Sequence, residues 1–162
     1  QFGNPVFYSD ATRLEVLRAA HVGKAKLFVI SVAEPEDVTL RIAETVRKHF
    51  PNLRVFAVAR TRQHAMQLMD LGVHKVIRRA YFSSLHLTRE ILEELGDPPE
   101  KARDILARFQ RYDEQMLLRQ QAIHRDPEQL RQSAHEAAKE LELLFESDRE
   151  SADKPARTPS DS

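Results

Sequence analysis

The residue types that do chemistry are sparse and scattered along this 162-residue chain. Seven histidines occur, at His21, His49, His64, His74, His86, His124 and His135, and no pair of them has a clear metal-ligand spacing. His135-Glu136-Ala137-Ala138-Lys139 comes near the H-E-x-x-H of zinc proteases, but Lys139 stands where the second metal ligand is needed. There is no cysteine, which excludes disulfides, zinc–thiolate sites and thiol catalysis. No G-x-S-x-G elbow, P-loop or kinase signature occurs. The carboxylates crowd onto charged stretches such as Glu140 to Glu150, the pattern of a solvated helix face. No catalytic residue is assigned and no enzyme is expected. What remains are polar residues at strand ends. Asp10, with Ala11 and Thr12, follows the apolar run Val6-Phe7-Tyr8; Arg60 and Arg62 follow Val55 to Ala59. Ligands bind at the carboxyl ends of parallel strands, so Asp10 can accept from an adenine or ribose, or cap the next helix, and the two arginines can approach a phosphate or simply start a solvated helix.

The elements that must position these residues are legible as alternating periods. After the run at Val6, Thr12 to Ala20 has helical spacing through Leu14, Leu17 and Ala20. Leu27-Phe28-Val29-Ile30 is continuously apolar, the signature of a strand covered on both faces. Glu34-Pro35-Glu36-Asp37 opens a helix that runs to about His49, where Phe50-Pro51-Asn52 stops it. Val55 to Ala59 is the next strand, Thr61 caps a helix facing inward through Ala65, Leu68 and Met69, Gly72 ends it, and Lys75-Val76-Ile77 is a short last strand. Strand and helix in strict alternation predict an α/β parallel, doubly wound sheet.

Beyond Arg79 only helical patterns occur. Phe82 to Leu95 is one helix, stopped by Gly96-Asp97-Pro98-Pro99. Glu100 to about Ile123 is a second, with Ala102, Ile105, Leu106, Phe109, Tyr112, Met116 and Leu117 as its stripe. Asp126-Pro127-Glu128 starts a third, whose Leu130, Ala134, Ala137, Leu141 and Leu144 form a seam of about two heptads. That seam can extend a dimer or fold back as a hairpin. From Ser151 the composition predicts a disordered tail.

Composition bounds the rest. A formal net charge of zero gives no global field for nucleic acid or a membrane surface. No apolar run is long enough to span a bilayer. The four glycines (Gly3, Gly23, Gly72 and Gly96) form no G-x-G-x-x-G turn, although a doubly wound sheet normally opens on one. Gln1-Phe2-Gly3-Asn4-Pro5 reads like the end of an earlier helix, so the first strands of the sheet are expected upstream. The strand at Val6 would then carry an open edge.

Several segments resemble one family. Phe7-Tyr8-Ser9-Asp10-Ala11-Thr12-Arg13 is similar to the Y-G-D-A-T segment of potassium-transport nucleotide-binding (KTN or RCK, TrkA-N) domains. His49-Phe50-Pro51-Asn52-Leu53 with Ala57-Val58-Ala59-Arg60 resembles the H-F-P-x-L…A-R-A-R stretch of Kef potassium-efflux systems. Gly72-Val73-x-Lys75, Arg78, Leu95-Gly96, Ala102-Arg103 and Arg111-Tyr112-x-x-Gln115-Met116 continue the likeness to about residue 120. The resemblance implies four regions. Residues 1–80 would be the C-terminal part of a partial Rossmann-like RCK/KTN domain, and 81–125 a helical dimerisation and glutathione-site region. Residues 126–150 would be an amphipathic helix, and 151–162 the tail.

The resemblance also implies a role. Kef systems are bacterial potassium/proton antiporters held closed by glutathione and opened by glutathione adducts of electrophiles. The chain would be their gating domain, on the cytoplasmic face of the inner membrane. Its partners would be the antiporter domain of the same parent chain, a second copy in a homodimer, and a quinone-reductase-like flavoprotein. An adenine nucleotide, AMP or NAD(H), would be the cofactor of the complete domain, met by Asp10, Ala11, Thr12 and Arg60. Glutathione would be the regulator, with Arg78 matching the arginine that holds its carboxylate. Phe2 matches the aromatic that senses the adduct, against ordinary packing. Asp113 stands where the best-known members have asparagine, and an ionised aspartate only accepts hydrogen bonds. It can accept from the glutathione amino group or from a backbone N–H, or pair with Arg78 and occupy the site itself. Arg79 replaces a family acid, which makes the spot more basic and offsets the change at 113. The alternative role is a nucleotide-sensing RCK/TrkA-like regulator of another potassium channel or transporter.

Overall fold

The computed structural model describes residues 8–31 and 35–152, the side chains of 144 and 146–152 excepted. Two units occur, residues 1–121 and 122–162. The first holds a parallel sheet of β1 (Leu27–Ile30), β2 (Arg54–Ala59) and β3 (Lys75–Arg78), in that order. Parallel neighbours need crossovers, and α2 (Glu36–His49) and α3 (Arg62–Asp70) supply them. The sheet with its flanking helices is an α/β Rossmann-like arrangement, as the alternating periods predict. Of the expected strand at Val6, only Tyr8 is described; it is exposed and outside any element, and the rest lies outside the described residues.

Each crossover is fixed by local chemistry. α2 buries Thr39, Ile42, Ala43 and Val46, the i, i+3, i+4, i+7 stripe of a helix with one covered face. Its first turn carries Glu36 and Asp37 and its last carries Arg47, Lys48 and His49, both favourable to the helix dipole. Thr61 caps α3: its side chain accepts from the His64 N–H at 3.0 Å. Gly72, at φ +75°, ends α3 in a Schellman motif, with Gly72 N–H donating to Met69 and Val73 N–H to Leu68. Met66 is buried in α3 beside Ala65 and Leu68, whereas Met69, expected inward, is only half-buried.

The register separates the two faces of the sheet. Phe28 and Ile30 lie beside Val55 and Ala57, and Ala57 and Ala59 beside Val76 and Arg78. This face joins Ile42, Ala43, Val46, Ala65 and Leu68 in the core. The other face carries Leu27, Val29, Phe56, Val58 and Ile77. Val29 is 56% exposed and Leu27 41%, so β1 is not covered on both faces, contrary to its unbroken apolar run. An apolar run reports that a strand can be covered twice; among the described residues the helices cover it once.

Among its described residues the first unit has three further α-helices. α1 (Leu14–Ala19) precedes the sheet and buries Leu17. α4 (Tyr81–Glu94) follows β3 almost directly, buries no residue, and ends at Gly96 in a second Schellman motif. α5 (Pro99–Gln121) packs against α3 and α4 and buries Ala102, Met116 and Gln120. In the second unit, α6 (Pro127–Ala152) is capped by Asp126, which accepts from the Glu128 and Gln129 N–H groups at 3.0 and 3.2 Å. These bonds hold the Asp126 carboxyl below its ordinary range. Ser151 and Ala152 continue this helix, and the remainder of the expected tail lies outside the described residues.

Candidate functional site

The carboxyl edge of the sheet gathers the charges that the fold must place. Ala59 ends β2 opposite Arg78, the last residue of β3, so Arg60, Arg62 and Arg78 all emerge at this edge. On α5, Asp113, Met116 and Gln120 lie three and four residues apart and share one helical face. That face meets the first turn of α3. Arg62 donates from Nη1 to Asp113 Oδ1 at 2.7 Å, from Nη2 to the Asp113 carbonyl at 3.4 Å, and from Nε to Gln120 Oε1 at 2.7 Å. Arg78 donates from Nη1 to Asp113 Oδ1 at 3.2 Å and from Nη2 to Oδ2. One carboxylate is thus held by two guanidinium groups, bidentately by Arg78 and through one oxygen by Arg62, whose second Nη donates to the backbone carbonyl.

Burial sharpens these contacts. The Asp113 side chain is 12% exposed, Arg78 16% and Arg62 32%. Burial alone would push the Asp113 carboxyl up; the hydrogen bonds from Arg78 and Arg62 outweigh it and hold it below the ordinary range. The Arg78 guanidinium also lies 3.8 Å from the centre of the Tyr81 ring, a cation–π contact. Burial, then the charge of Asp113, pushes the Tyr81 phenol up to about 12, so it stays neutral. Two arginines and one aspartate leave the cluster with one surplus positive charge.

The structure brings Arg78 and Asp113 together and realises the pairing left open by the sequence. Arg60 is not part of this cluster: its side chain is exposed, and its backbone N–H donates to His64 Nδ1 at 3.3 Å. Asp10 makes a local turn, accepting at Oδ1 from the Thr12 N–H at 2.9 Å and the Thr12 hydroxyl at 2.7 Å. These bonds hold its carboxyl below the ordinary range. α1 itself starts after Arg13 without a side-chain cap, so Asp10 shapes the approach to that helix and does not cap it. Ala11 is packed against the core. Phe2 lies outside the described residues.

Sequence reasoning missed Arg62 as a partner of Asp113, and missed Gln120 and Tyr81 altogether. The available signal was the polar pair Asp113 and Gln120, seven residues apart on an otherwise apolar face of α5. Among the described residues no three potential metal ligands cluster. A depression of about 280 Å³ lined by Phe50, Pro51 and Leu53 lies at the opposite, amino-terminal edge of the strands, away from these charges.

Comparison with known proteins identifies the family and the fold. Residues 1–79 match the TrkA-N domain family, and residues 83–160 match the family described as the potassium efflux system KefB C-terminal domain. Among solved structures, the Kef C-terminal domain of Shewanella denitrificans in its AMP-bound form is 36% identical, with a TM-score of 0.71. The match covers 76% of this chain and 77% of that one. The sheet, the helices after it and this similarity across both halves place the chain in the Kef family, as a C-terminal regulatory domain with a TrkA-N fold.

Proposed function

We propose that the chain is the ligand-sensing gating domain of a glutathione-regulated potassium/proton antiporter, closed by glutathione and opened by glutathione adducts. The observation that carries this reading is Arg78: a guanidinium at the carboxyl edge of the sheet, backed by Tyr81 and facing α5, suited to hold a carboxylate. Ligands would act by differential binding to closed and open arrangements of the helices after the sheet. An adenine nucleotide, as named for the Shewanella domain, would lie near the Asp10-Ala11-Thr12 turn and Arg60. Phe2 would meet the adduct. The domain works as a regulator and not as an enzyme, at the cytoplasmic face of the inner membrane. Its partners would be the antiporter domain of its parent chain, a second copy, and a flavoprotein subunit. The regions would fall at 1–80, 81–125, 126–150 and 151–162.

The test is potassium efflux from vesicles carrying the parent transporter. Glutathione should hold the wild type closed and a bulky adduct should open it, and Arg78→Ala should abolish both responses. Efflux indifferent to both ligands in the wild type would sink the reading.

One observation favours a second reading. Asp113 already holds Arg78, which suits a domain that senses nucleotide alone. Glutathione titration of the complete domain, wild type against Asp113→Asn, separates the two. Binding by neither protein supports the nucleotide-only regulator.

A further inference from the structure

In a parallel sheet every helix-to-strand connection returns to the amino-terminal edge, opposite the edge that carries Arg62, Arg78 and Asp113. Three such segments meet here. Residues 18–27 carry Arg18, Lys24 and Lys26, residues 47–54 carry Arg47, Lys48 and Arg54, and residues 71–75 carry Lys75. None of the three segments holds an aspartate or glutamate. Adjacent strands lie about 4.8 Å apart, so the starts of β1, β2 and β3 fall within roughly 15 Å of one another. The zero net charge of the chain therefore conceals one wholly basic edge.

Part of this charge serves the fold. Arg18, Arg47 and Lys48 stand in the last turns of α1 and α2, where the helix dipole favours cations. Arg47 also donates from Nη1 to the carbonyls of Pro51 and Leu53 at 2.9 and 3.3 Å, and the Arg54 guanidinium lies 5.8 Å from the centre of the Phe56 ring. The lysines are left over. Lys24 and Lys26 lie in the connection to β1, and Lys75 opens β3, so none of them serves an α-helix. With Lys48 they are exposed and make no ion pair among the described residues. Of the acids that flank these segments, Glu15 pairs with Arg13 at 3.7 Å, Asp70 accepts from Gln121 at 3.3 Å, and Glu44 makes no bridge to Lys48 one turn on. An exposed array of like charges with no acid inside it raises the local concentration of anionic partners.

We propose that this edge is a docking surface for an anionic lipid bilayer. Lysine ammonium groups are compact, hydrated point charges on flexible stems. They suit a fluid array of headgroup phosphates, whereas a fixed acidic protein surface rewards the bidentate fork of arginine. Two of the three arginines here are already engaged, and the four lysines are not. Leu27, 41% exposed, and Pro51, also exposed, lie among the cations and offer apolar contact at headgroup depth. A C-terminal regulatory domain of a potassium efflux system works beside a membrane. Docking by the amino-terminal edge turns the opposite edge, with Arg78 and Asp113, toward the solution. The surface rests on the family alone and not on which ligand the domain senses.

The test is co-sedimentation of the full chain with vesicles of equimolar phosphatidylglycerol and phosphatidylcholine, against vesicles of phosphatidylcholine alone. The chain should partition onto the anionic vesicles and not onto the neutral ones. The Debye length falls from about 10 Å at 0.1 M salt to about 3 Å at 1 M, so the higher salt should release it. These two arms use the wild type and need no variant to fold. Each cation near an anionic surface is worth roughly fivefold in partitioning, so Lys24→Gln, Lys26→Gln and Lys48→Gln together should weaken binding about a hundredfold. Lys101→Gln, Arg103→Gln and Arg111→Gln together remove the same charge from α5 and should change it by less than about fivefold. Equal sedimentation with both kinds of vesicle, an edge variant that binds like the wild type, or an α5 variant as weak as the edge variant, each overturns the inference. So does tighter binding to soluble polyglutamate or to a DNA duplex through the same lysines, which would assign the edge to a polyanionic macromolecule. Efflux indifferent to glutathione would overturn the gating role and leave these results standing.

Discussion

α3 and α4 each follow a strand of the same sheet, yet they are held in opposite ways. α3, of nine residues, buries His64, Ala65, Met66 and Leu68 and is fixed at its start by Thr61 and Arg62. α4, of fourteen, buries nothing and exposes Phe82, Leu87 and Ile91. Their C-terminal stops are the same device, a Schellman motif on a glycine at φ +75° or +98°. Local start and stop signals therefore do not decide how firmly a helix is held. Tertiary burial does, and of these two helices α3 has it and α4 does not.

The largest expected effect tests that burial directly. Leu68 is fully buried, so Leu68→Ala should cost about 4 kcal/mol through lost transfer energy and the cavity left behind. Leu87 is 60% exposed, and Leu87→Ala should stay within about 0.5 kcal/mol in the isolated chain. Urea denaturation of both variants checks the pair. Comparable losses would mean that α4 is packed as firmly as α3. A loss for Leu87→Ala that appears only at high protein concentration would instead show that a second copy covers α4.

Next in size is a contrast between the two glycine stops. An alanine at either position must adopt a left-handed conformation, which costs about 1 kcal/mol. A methyl group at Gly72 meets only Arg47 at ordinary contact distance, and at Gly96 it meets nothing within 4 Å, so crowding adds to neither. Gly72→Ala should therefore lower global stability by that amount. If α4 unfolds with the rest, Gly96→Ala should cost the same; if α4 frays separately, global unfolding should not register it. Hydrogen exchange of the α4 amides distinguishes the cases, with the threshold set by how cooperative the two helices are.

The start of α3 gives a smaller effect. Thr61→Ala removes the bond to the His64 N–H and should cost about 1 kcal/mol by the same urea titration. α4 begins after Ala80, whose methyl group cannot cap, so its start offers no equivalent handle. An unchanged midpoint for Thr61→Ala would mean that Arg62 and burial alone set the position of α3.

The same contrast explains what could be read from the sequence. The strands, crossovers and helix stops were legible because their causes are local: unbroken apolar runs, acids in a first turn, Thr61, Gly72. The pairing of Arg78 with Asp113 was legible as one of the alternatives for Asp113, because the family resemblance assigns both residues to one ligand site. Arg62 was not, since it meets Asp113 across 51 residues and nothing near it in sequence marks that contact. Nor does the apolar run of β1 say that Val29 lies on an open face, because a hydrophobic pattern specifies which residues want cover and not what supplies it. Met69 failed for a related reason: the helical period puts it near the stripe through Ala65 and Leu68, but burial falls on Met66, which lies outside the core cluster formed with the strands.

The smallest expected effect is a slope with pH, and it belongs to α3. His64 is 1% exposed; its Nδ1 accepts from the Arg60 N–H, and Glu36 on α2 stands 3.9 Å from the same nitrogen. Burial pushes its pKa below the usual 6.5, Glu36 opposes that, and Arg60 adds to it. The unfolded chain therefore takes up a proton near pH 6.5 while the folded imidazole stays neutral to lower pH. In that window the unfolded state binds more protons, so stability falls as pH falls, by at most about 1.4 kcal/mol per unit. Protonation would also put a hydrogen on Nδ1 and displace the Arg60 N–H from it. Asp113 acts in a different window: its lowered pKa makes its contribution present above the ordinary carboxylate range and lost only in stronger acid. Urea midpoints between pH 5 and 7 should fall with acidity in the wild type and flatten in His64→Gln, whatever the absolute stability of that variant. A slope that survives His64→Gln would assign the window to another group and leave α3 held by burial, Thr61 and Arg62, with no part for its histidine.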